Sequence, residues 1–530
     1  MKVFKTIIVL ALLTAFSACD VDYYNNPNEP QTPPTNAIFN NAVDQFVTDT
    51  RDVWFAGRFT LVTMQYWQQS EYGDEDRYGY RESMRETWED FYYNAENLRK
   101  VIQFNEDPET KNEMAAYGDN NNQIQCARIM LSWAFNMMTD TWGDIPYYSY
   151  GSDNPDFQAL KLGDAEEEIL EPKYAEQKDI YADILNELKL AAESLDASKS
   201  GFTSGDNIYG GDVAKWKKFA NSLRLRIALK IRGANESLAD THISDALNKG
   251  VFTSNADNAG FIFGTADKNA APMYESWNID KRSDFAIGHS FTTLLKGENM
   301  VDHDGNDISS NPFAGTTDPR LPIYAMPNSD GNYVGMPVAE SSDEAATITF
   351  ESLPGDVIIN TPDFEEMLME YSEVQFILSE LASQGGAFDQ THYENAVEAS
   401  MQRWGVPQAD IDDYINNQLP AANEENVLTQ KYIALYMQSH TAWTDYRRTG
   451  YPKTLIEPFE DYQISNPATG DTYNFTFSPI PGEIADTQDL PYRMTYPDQE
   501  YTLNGNKIGE AIDRMSNGDT QATKLWWDVN

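Results

Sequence analysis

The sequence predicts a mainly α-helical fold with a loop-rich, irregular lobe that carries a few short strands. Apolar residues recur at helical spacing in several long segments. Two other stretches, 250–362 and 452–499, lack that spacing and are rich in Gly, Pro, Asn, Asp and aromatic residues. The chain has 530 residues, of which 41% are hydrophobic and 12% aromatic, enough to bury a large core.

The helices are expected in order over Asn36–Thr48, Arg85–Asn105, Asn122–Trp142, Asp179–Leu195, Lys215–Arg232, Asp363–Leu381, His392–Trp404 and Asn426–Tyr446. In Asp179–Leu195 the apolar stripe is Ile180, Ile184, Leu188, Ala191 and Leu195; in Lys215–Arg232 it is Trp216, Phe219, Leu223, Ile227 and Ile231. Asn122–Trp142 is apolar almost all the way round and is therefore expected at the centre. Gly143 and Pro146 stop that helix and turn the chain, as Gly450 and Pro452 stop the one before them. The helices fall loosely into consecutive pairs, which suggests stacked helical hairpins of the tetratricopeptide kind, although no fixed period survives.

The chain divides into 1–18, a lipoprotein signal peptide; 19–36, a lipidated Cys19 with a Pro-rich tether; and 37–530, a single domain. Lys2 and Lys5 give the positive start, Ile7–Phe16 the apolar stretch, and Ser17-Ala18 the small residues before the cut. The apolar run is about half the length of a helical membrane span, so lipid on Cys19 must do the anchoring. Ordinary secretion with Cys19 as a free thiol is the alternative. Pro27, Pro30, Pro33 and Pro34 make 19–36 an extended tether reaching about 50 Å at ~3.1 Å per residue. The other cysteine, Cys126, lies in an apolar helix, so the mature chain forms no internal disulfide and Cys126 reads as a small buried side chain.

Formal net charge is -46. Such a surface repels phosphate backbones, which argues against nucleic acid as a partner. Val213–Arg232 runs against this trend, with seven basic residues and no acid, and is expected to lie against acidic neighbours.

Six motifs and the closing Trp526-Trp527 carry a resemblance. They are Asp140-Thr-Trp-Gly-Asp-Ile-Pro-Tyr147, Trp216-Lys-Lys-Phe-Ala-Asn-Ser-Leu-Arg-Leu-Arg-Ile-Ala228, Asp318-Pro-Arg-Leu321, Tyr371-Ser-Glu-Val-Gln-Phe-Ile-Leu378, Trp443-Thr-Asp-Tyr-Arg-Arg-Thr-Gly450 and Pro491-Tyr-Arg-Met-Thr-Tyr-Pro497. In order and separation they resemble the SusD/RagB family of nutrient-binding lipoproteins of the Bacteroidetes, across essentially the whole mature chain. Physically most of them read as scaffold: the Trp216 motif is a helix stripe, and Arg447 and Arg448 are expected to grip carboxylates of a neighbouring helix.

The resemblance implies a SusD-like fold with four tetratricopeptide-like helix pairs. It also implies an outer-membrane lipoprotein facing the cell exterior, acting as the lid of a SusC-like TonB-dependent transporter and binding oligomeric nutrient, a glycan or alternatively a peptide. The acidic Asp20 and Asp22 after Cys19 resemble the export signals of surface lipoproteins in that phylum.

Sugar rings present apolar faces and hydroxyl edges, so glycan sites combine flat aromatics with polar side chains. The stretch Gln65–Tyr80 has that composition, and Tyr66, Trp67, Tyr72, Arg77 and Tyr78 are candidate ligand residues, against helix-end packing for Tyr66 and Trp67. Tyr274, Trp277 and Arg282 form a second candidate group, with lobe packing as the rival, and Tyr333 is a third. No cofactor is expected. Asp302, Asp304 and Asp307 form an oxygen-rich loop that is a calcium candidate, but the spacing is not that of an EF-hand, and a solvated turn competes with it.

His-Glu-x-x-His, Walker, Gly-x-Ser-x-Gly and clustered-cysteine motifs are all missing, so a binding protein and not an enzyme is expected. A hydrolase built on two carboxylates leaves no sequence motif and stays as an alternative, as does a scaffold that binds only protein.

Overall fold

A computed structural model of the chain describes residues 32–80, 84–161, 169–480 and 489–529. The expected signal peptide, the lipid-bearing Cys19 and most of the tether therefore lie outside the described residues.

The helical body opens with α1 (Thr35–Arg51) and α2 (Met84–Glu106), followed by α3 (Asn120–Trp142), α4 (Gln177–Ser194), α5 (Val213–Ile231) and α6 (Glu236–Lys249). After a short α7 (His289–Lys296) in the irregular lobe come α8 (Tyr371–Ala382), α9 (Gln390–Arg403), α10 (Glu424–Ala434) and α11 (Ser439–Thr449). Helices α1–α2, α3–α4, α5–α6 and α8–α9 pack as four consecutive pairs, and α2 on α3 and α4 on α5 join the first three into one stack. Because α1 starts at Thr35, the helical body begins just inside the segment expected as tether.

Side-chain caps set several starts: Asp119 opens α3, Asp212 opens α5, Asn235 opens α6 and Asp389 opens α9, each accepting backbone N–H groups of the first turn. Gly143, at φ 98°, ends α3, and the left-handed Gly450 ends α11. Every residue of α3 from Asn122 to Trp142 is buried, as its all-round apolarity predicts. Its polar residues are satisfied inside: Arg128 makes a two-pronged pair with Glu187 of α4, and Asp140 receives Lys230 of α5 at 2.6 Å.

The basic face of α5 meets carboxylates as expected, through Lys218–Asp257, Arg224–Asp245, Arg226–Glu373 and Lys230–Asp140. Arg448 grips Glu380 of α8 and Asp445. Arg447 departs from expectation: it donates to the carbonyls of Asp140 and Tyr492 and stacks 3.4 Å over Trp443.

Three helix assignments need correction. Glu365–Met369, expected as the start of a helix, is a strand paired with Ala259–Ile262; a distant partner's hydrogen bonds outweigh the helical spacing there. Asn426–Tyr446 is broken into α10 and α11 by a turn with Met437 at φ 68°, which keeps Tyr436 in an aromatic cluster with Tyr66, Phe291 and Tyr324. Helix α6 was not anticipated, because its buried face, Ala239, His242, Ile243 and Ala246, holds two small residues and one polar one and gives a weak periodic signal.

The strands are short: β1 (Trp67–Gln69), β2 (Ile145–Pro146), β3 (Tyr174–Ala175), β4 (Ala259–Ile262), β5 (Phe285–Ile287), β6 (Glu365–Met369), β7 (Asp461–Ser465) and β8 (Thr472–Thr476). They form antiparallel two-stranded pairs, β1–β5, β2–β3, β4–β6 and β7–β8. All but β2 and β3 are tied to the loop-rich lobe, where few short strands were expected. One apolar core runs from Phe39 to Trp527, and a smaller cluster around Phe376, Tyr393 and Tyr414 fills the α8–α10 region.

Candidate functional site

Strand β1 lies in the first candidate segment and β5 directly follows the second, and their register pairs Trp67 with Ile287 and Gln69 with Phe285. The pairing brings residues 65–80 and 274–285 together although they are far apart in sequence. Next to the strands the chain is wound in two π-helical turns, Val53–Leu61 and Glu275–Ile279, in which N–H groups reach back five residues, from Gly57 to Asp52 and from Asp280 to Glu275. Such wide turns re-aim side chains and recur at binding sites. Tyr72 and Lys281 take left-handed φ of 64° and 57°, a conformation that costs non-glycine residues energy.

Asp284 organises the surface. Its Oδ2 accepts from Arg58 at 2.7 Å and from Arg282 at 2.6 Å, and its carbonyl accepts from the Ser70 N–H at 2.8 Å. Arg58 is buried and its guanidinium lies 4.4 Å from the Trp54 ring centre, while that of Arg282 lies 5.8 Å from the Tyr72 ring centre. Trp54 is 41% exposed and Tyr72 51% exposed, so two surface rings each lie beside a guanidinium, Trp54 beside the buried Arg58 and Tyr72 beside the exposed Arg282. Trp277, half-buried, meets Trp67 edge-on at 5.7 Å, which fixes the floor.

The local acids are partly suppressed. Burial, with Glu275 adding to it, pushes Asp52 up to about 7, although the Trp54 and Phe55 N–H groups it caps and Arg58 oppose the shift. Burial also pushes Asp76 up to about 7, against the hydrogen bond from the Gln69 N–H at 2.6 Å. Near neutrality the site is thus less negative than the chain's composition implies. Two exposed aromatic faces beside guanidiniums joined through Asp284 suit a ligand with apolar faces and polar edges.

The candidate residues separate into two groups. Tyr72 and Arg282 are on the surface, and Trp277 and Tyr274 are half-buried beside them. Tyr66, Trp67 and Tyr78 are corrected from ligand residues to core. Tyr66 stacks on Tyr432 at 4.4 Å and hydrogen-bonds its carbonyl, and Trp67 donates to the Tyr436 hydroxyl at 2.7 Å. Tyr78 packs against Phe477 at 5.3 Å, and all three are at most 1% exposed, leaving no face for a ligand. Arg77 is turned to the Ser478 carbonyl at 2.7 Å, and Tyr333 packs part-buried against the core on another loop.

Trp54 was missed. Its sequence signal is the capping Asp52 before it and Arg58 four residues after it, the spacing that places a cation beside a ring on one helical face.

In the calcium-candidate loop, Asp302 Oδ1 accepts from the Asp304 and Asn306 N–H groups at 2.9 and 2.8 Å, and Asp307 accepts from Asn299 at 2.8 Å. Its carboxylates serve their own turn, and among the described residues no group of three or more His, Cys, Asp or Glu side chains is placed to hold a metal ion.

Residues 27–469 match the SusD-like family described as starch-binding and associating with the outer membrane, and residues 420–528 match the SusD and RagB outer membrane lipoproteins. No curated protein matches the chain. Among solved structures, a chitin-binding protein is 24% identical over 93% of this chain and 100% of its own, with a TM-score of 0.68. A SusD homologue from Parabacteroides distasonis is 21% identical over 94% of this chain and 98% of its own, with a TM-score of 0.73. A chitin-binding SusD homologue from Flavobacterium johnsoniae is 22% identical over 93% of this chain and 98% of its own, with a TM-score of 0.68. At these identities the structural likeness speaks to the fold, four helix pairs with a loop-rich lobe. Taken with sequence matches that together run from residue 27 to 528, it means that this chain belongs to the SusD-like family of outer membrane nutrient-binding lipoproteins.

Proposed function

We propose that the chain captures oligosaccharide at the cell exterior on the surface formed by Trp54, Tyr72, Trp277 and Arg282. It then closes as a lid over a SusC-like TonB-dependent transporter. The observation that carries the binding reading is the Asp284 carboxylate beside the β1–β5 pairing, which joins Arg58 and Arg282, each next to an exposed aromatic ring, Trp54 and Tyr72. Family membership supports the outer-membrane setting and the transporter partner, and the chitin-binding neighbours support a glycan. Among the described residues no helix is long and apolar enough to cross a membrane, in keeping with attachment through lipid on Cys19. The chain acts by binding and not by catalysis.

The test is a glycan and peptide array on a Cys19→Ala chain, followed by calorimetry. Saturable oligosaccharide binding without released reducing ends is expected, weakened at least tenfold, about 1.4 kcal/mol, by Trp54→Ala or Arg282→Ala. Binding of peptides alone, or unchanged affinity in both variants, would refute the glycan reading. Co-purification of the lipidated protein with a large outer-membrane barrel tests the lid role.

A further inference from the structure

A second concave surface lies on the other side of the loop that carries Tyr72. The Gly73 N–H donates to Ser342 Oγ at 3.3 Å, and a Cβ at Gly73 would meet the Glu340 carbonyl oxygen at 2.6 Å, so this loop rests directly on residues 340–342. Arg77, farther along the same loop, holds the Ser478 carbonyl at 2.7 Å. Between residues 340–347 and the β7–β8 hairpin is a groove of about 530 Å³, lined by Glu340, Glu344, Thr347, Tyr473, Asn474 and Thr476 among others.

The groove is built from fixed parts. Tyr473 is half-buried, with Phe350 5.5 Å away supporting its ring. Glu344 is held by the Ser341 hydroxyl at 2.6 Å within a capping box. Glu340 is buried and accepts from the Tyr462 hydroxyl at 3.1 Å. Burial, aided by Glu344, pushes Glu340 up to about 8, while the Ser341 hydroxyl holds Glu344 below its usual value. Near neutrality Glu340 therefore keeps its proton while Glu344 stays an acceptor on the groove wall.

We propose that this groove is a second carbohydrate subsite, taking one hydroxyl-rich ring whose apolar face lies on Tyr473 and whose hydroxyls meet Glu340, Glu344 and Asn474. The inference rests on the reading of the chain as an oligosaccharide binder and extends it: a long oligosaccharide held at Tyr72 and Arg282 crosses the shared loop into the groove, whereas a short one stays at the first surface.

Calorimetry on the Cys19→Ala chain with chitohexaose, maltohexaose and the matching disaccharides tests this, comparing Tyr473→Ala/Glu344→Gln with Trp54→Ala/Arg282→Ala. The groove variant is expected to bind the hexasaccharide about tenfold more weakly and the disaccharide unchanged, while the Trp54/Arg282 variant loses both. Tyr473→Phe, which keeps the ring face, should retain the affinity, and because the alanine substitution removes a half-buried ring, circular dichroism verifies that the variant is folded. Unchanged hexasaccharide affinity in the groove variant overturns the second subsite alone. Failure of the unmodified chain to bind any of these sugars overturns both readings.

Discussion

Replacing Trp67 separates a ligand residue from a core residue. Its side chain is fully buried, edge-on to Trp277 at 5.7 Å and tilted against Phe285 at 5.8 Å, with its indole N–H donated to Tyr436. Trp67→Ala empties a site walled by β5 and the aromatic cluster, and such truncations cost roughly 3 to 5 kcal/mol. Trp67→Phe keeps most of the ring volume and loses the hydrogen bond, for about 1 to 2 kcal/mol. Urea unfolding followed by circular dichroism reads these losses as lowered midpoints at unchanged slope. Oligosaccharide affinity of Trp67→Phe should match that of the unmodified chain. The reasoning is refuted if Trp67→Ala unfolds at the original midpoint, or if Trp67→Phe loses binding while its stability is unchanged.

Other outcomes follow from the buried charges and the thiol. Burial pushes Glu366 up to about 7, against the opposing Arg51 and Arg403, so the folded state keeps a proton that the unfolded chain releases near pH 4.3 (about the ordinary glutamate value). Its contribution therefore makes stability fall as pH rises through that window to about 7, and Glu366→Gln should flatten this part of the stability–pH curve; parallel curves would contradict the assignment. Arg320 is fully buried and makes a two-pronged pair with Asp318, so Asp318→Ala should cost about 3 to 5 kcal/mol in urea unfolding by stranding the guanidinium, and a variant as stable as the parent would rule that out. Cys126 is buried and its thiol is pushed well up by that burial, so Ellman's reagent should leave it unmodified until the chain unfolds; rapid labelling of the native protein would place it elsewhere.

The fold was legible wherever a helix carries a strong stripe. The segments around α3, α4 and α5 are recognisable because large apolar residues repeat at helical spacing, and α5's excess of cations foretold its acidic neighbours. It was illegible where long-range pairing overrides local pattern, as at β6, or where small residues mute the stripe, as in α6. The candidate site was half legible. An aromatic-rich composition marked both 65–80 and 274–285, but it gave Tyr66, Trp67 and Tyr78 the same weight as Tyr72.

By itself the sequence determined the class of the protein: a helical body with a loop-rich lobe, an acidic surface and motifs in family order, all set by local spacing and composition. Only the tertiary structure decided which aromatics meet solvent, because exposure depends on what packs from elsewhere in the chain. Tyr432 and Tyr436 of the α10–α11 region bury Tyr66 and Trp67, whereas Tyr72 and Trp54 have no such cover and stand beside guanidiniums joined by Asp284.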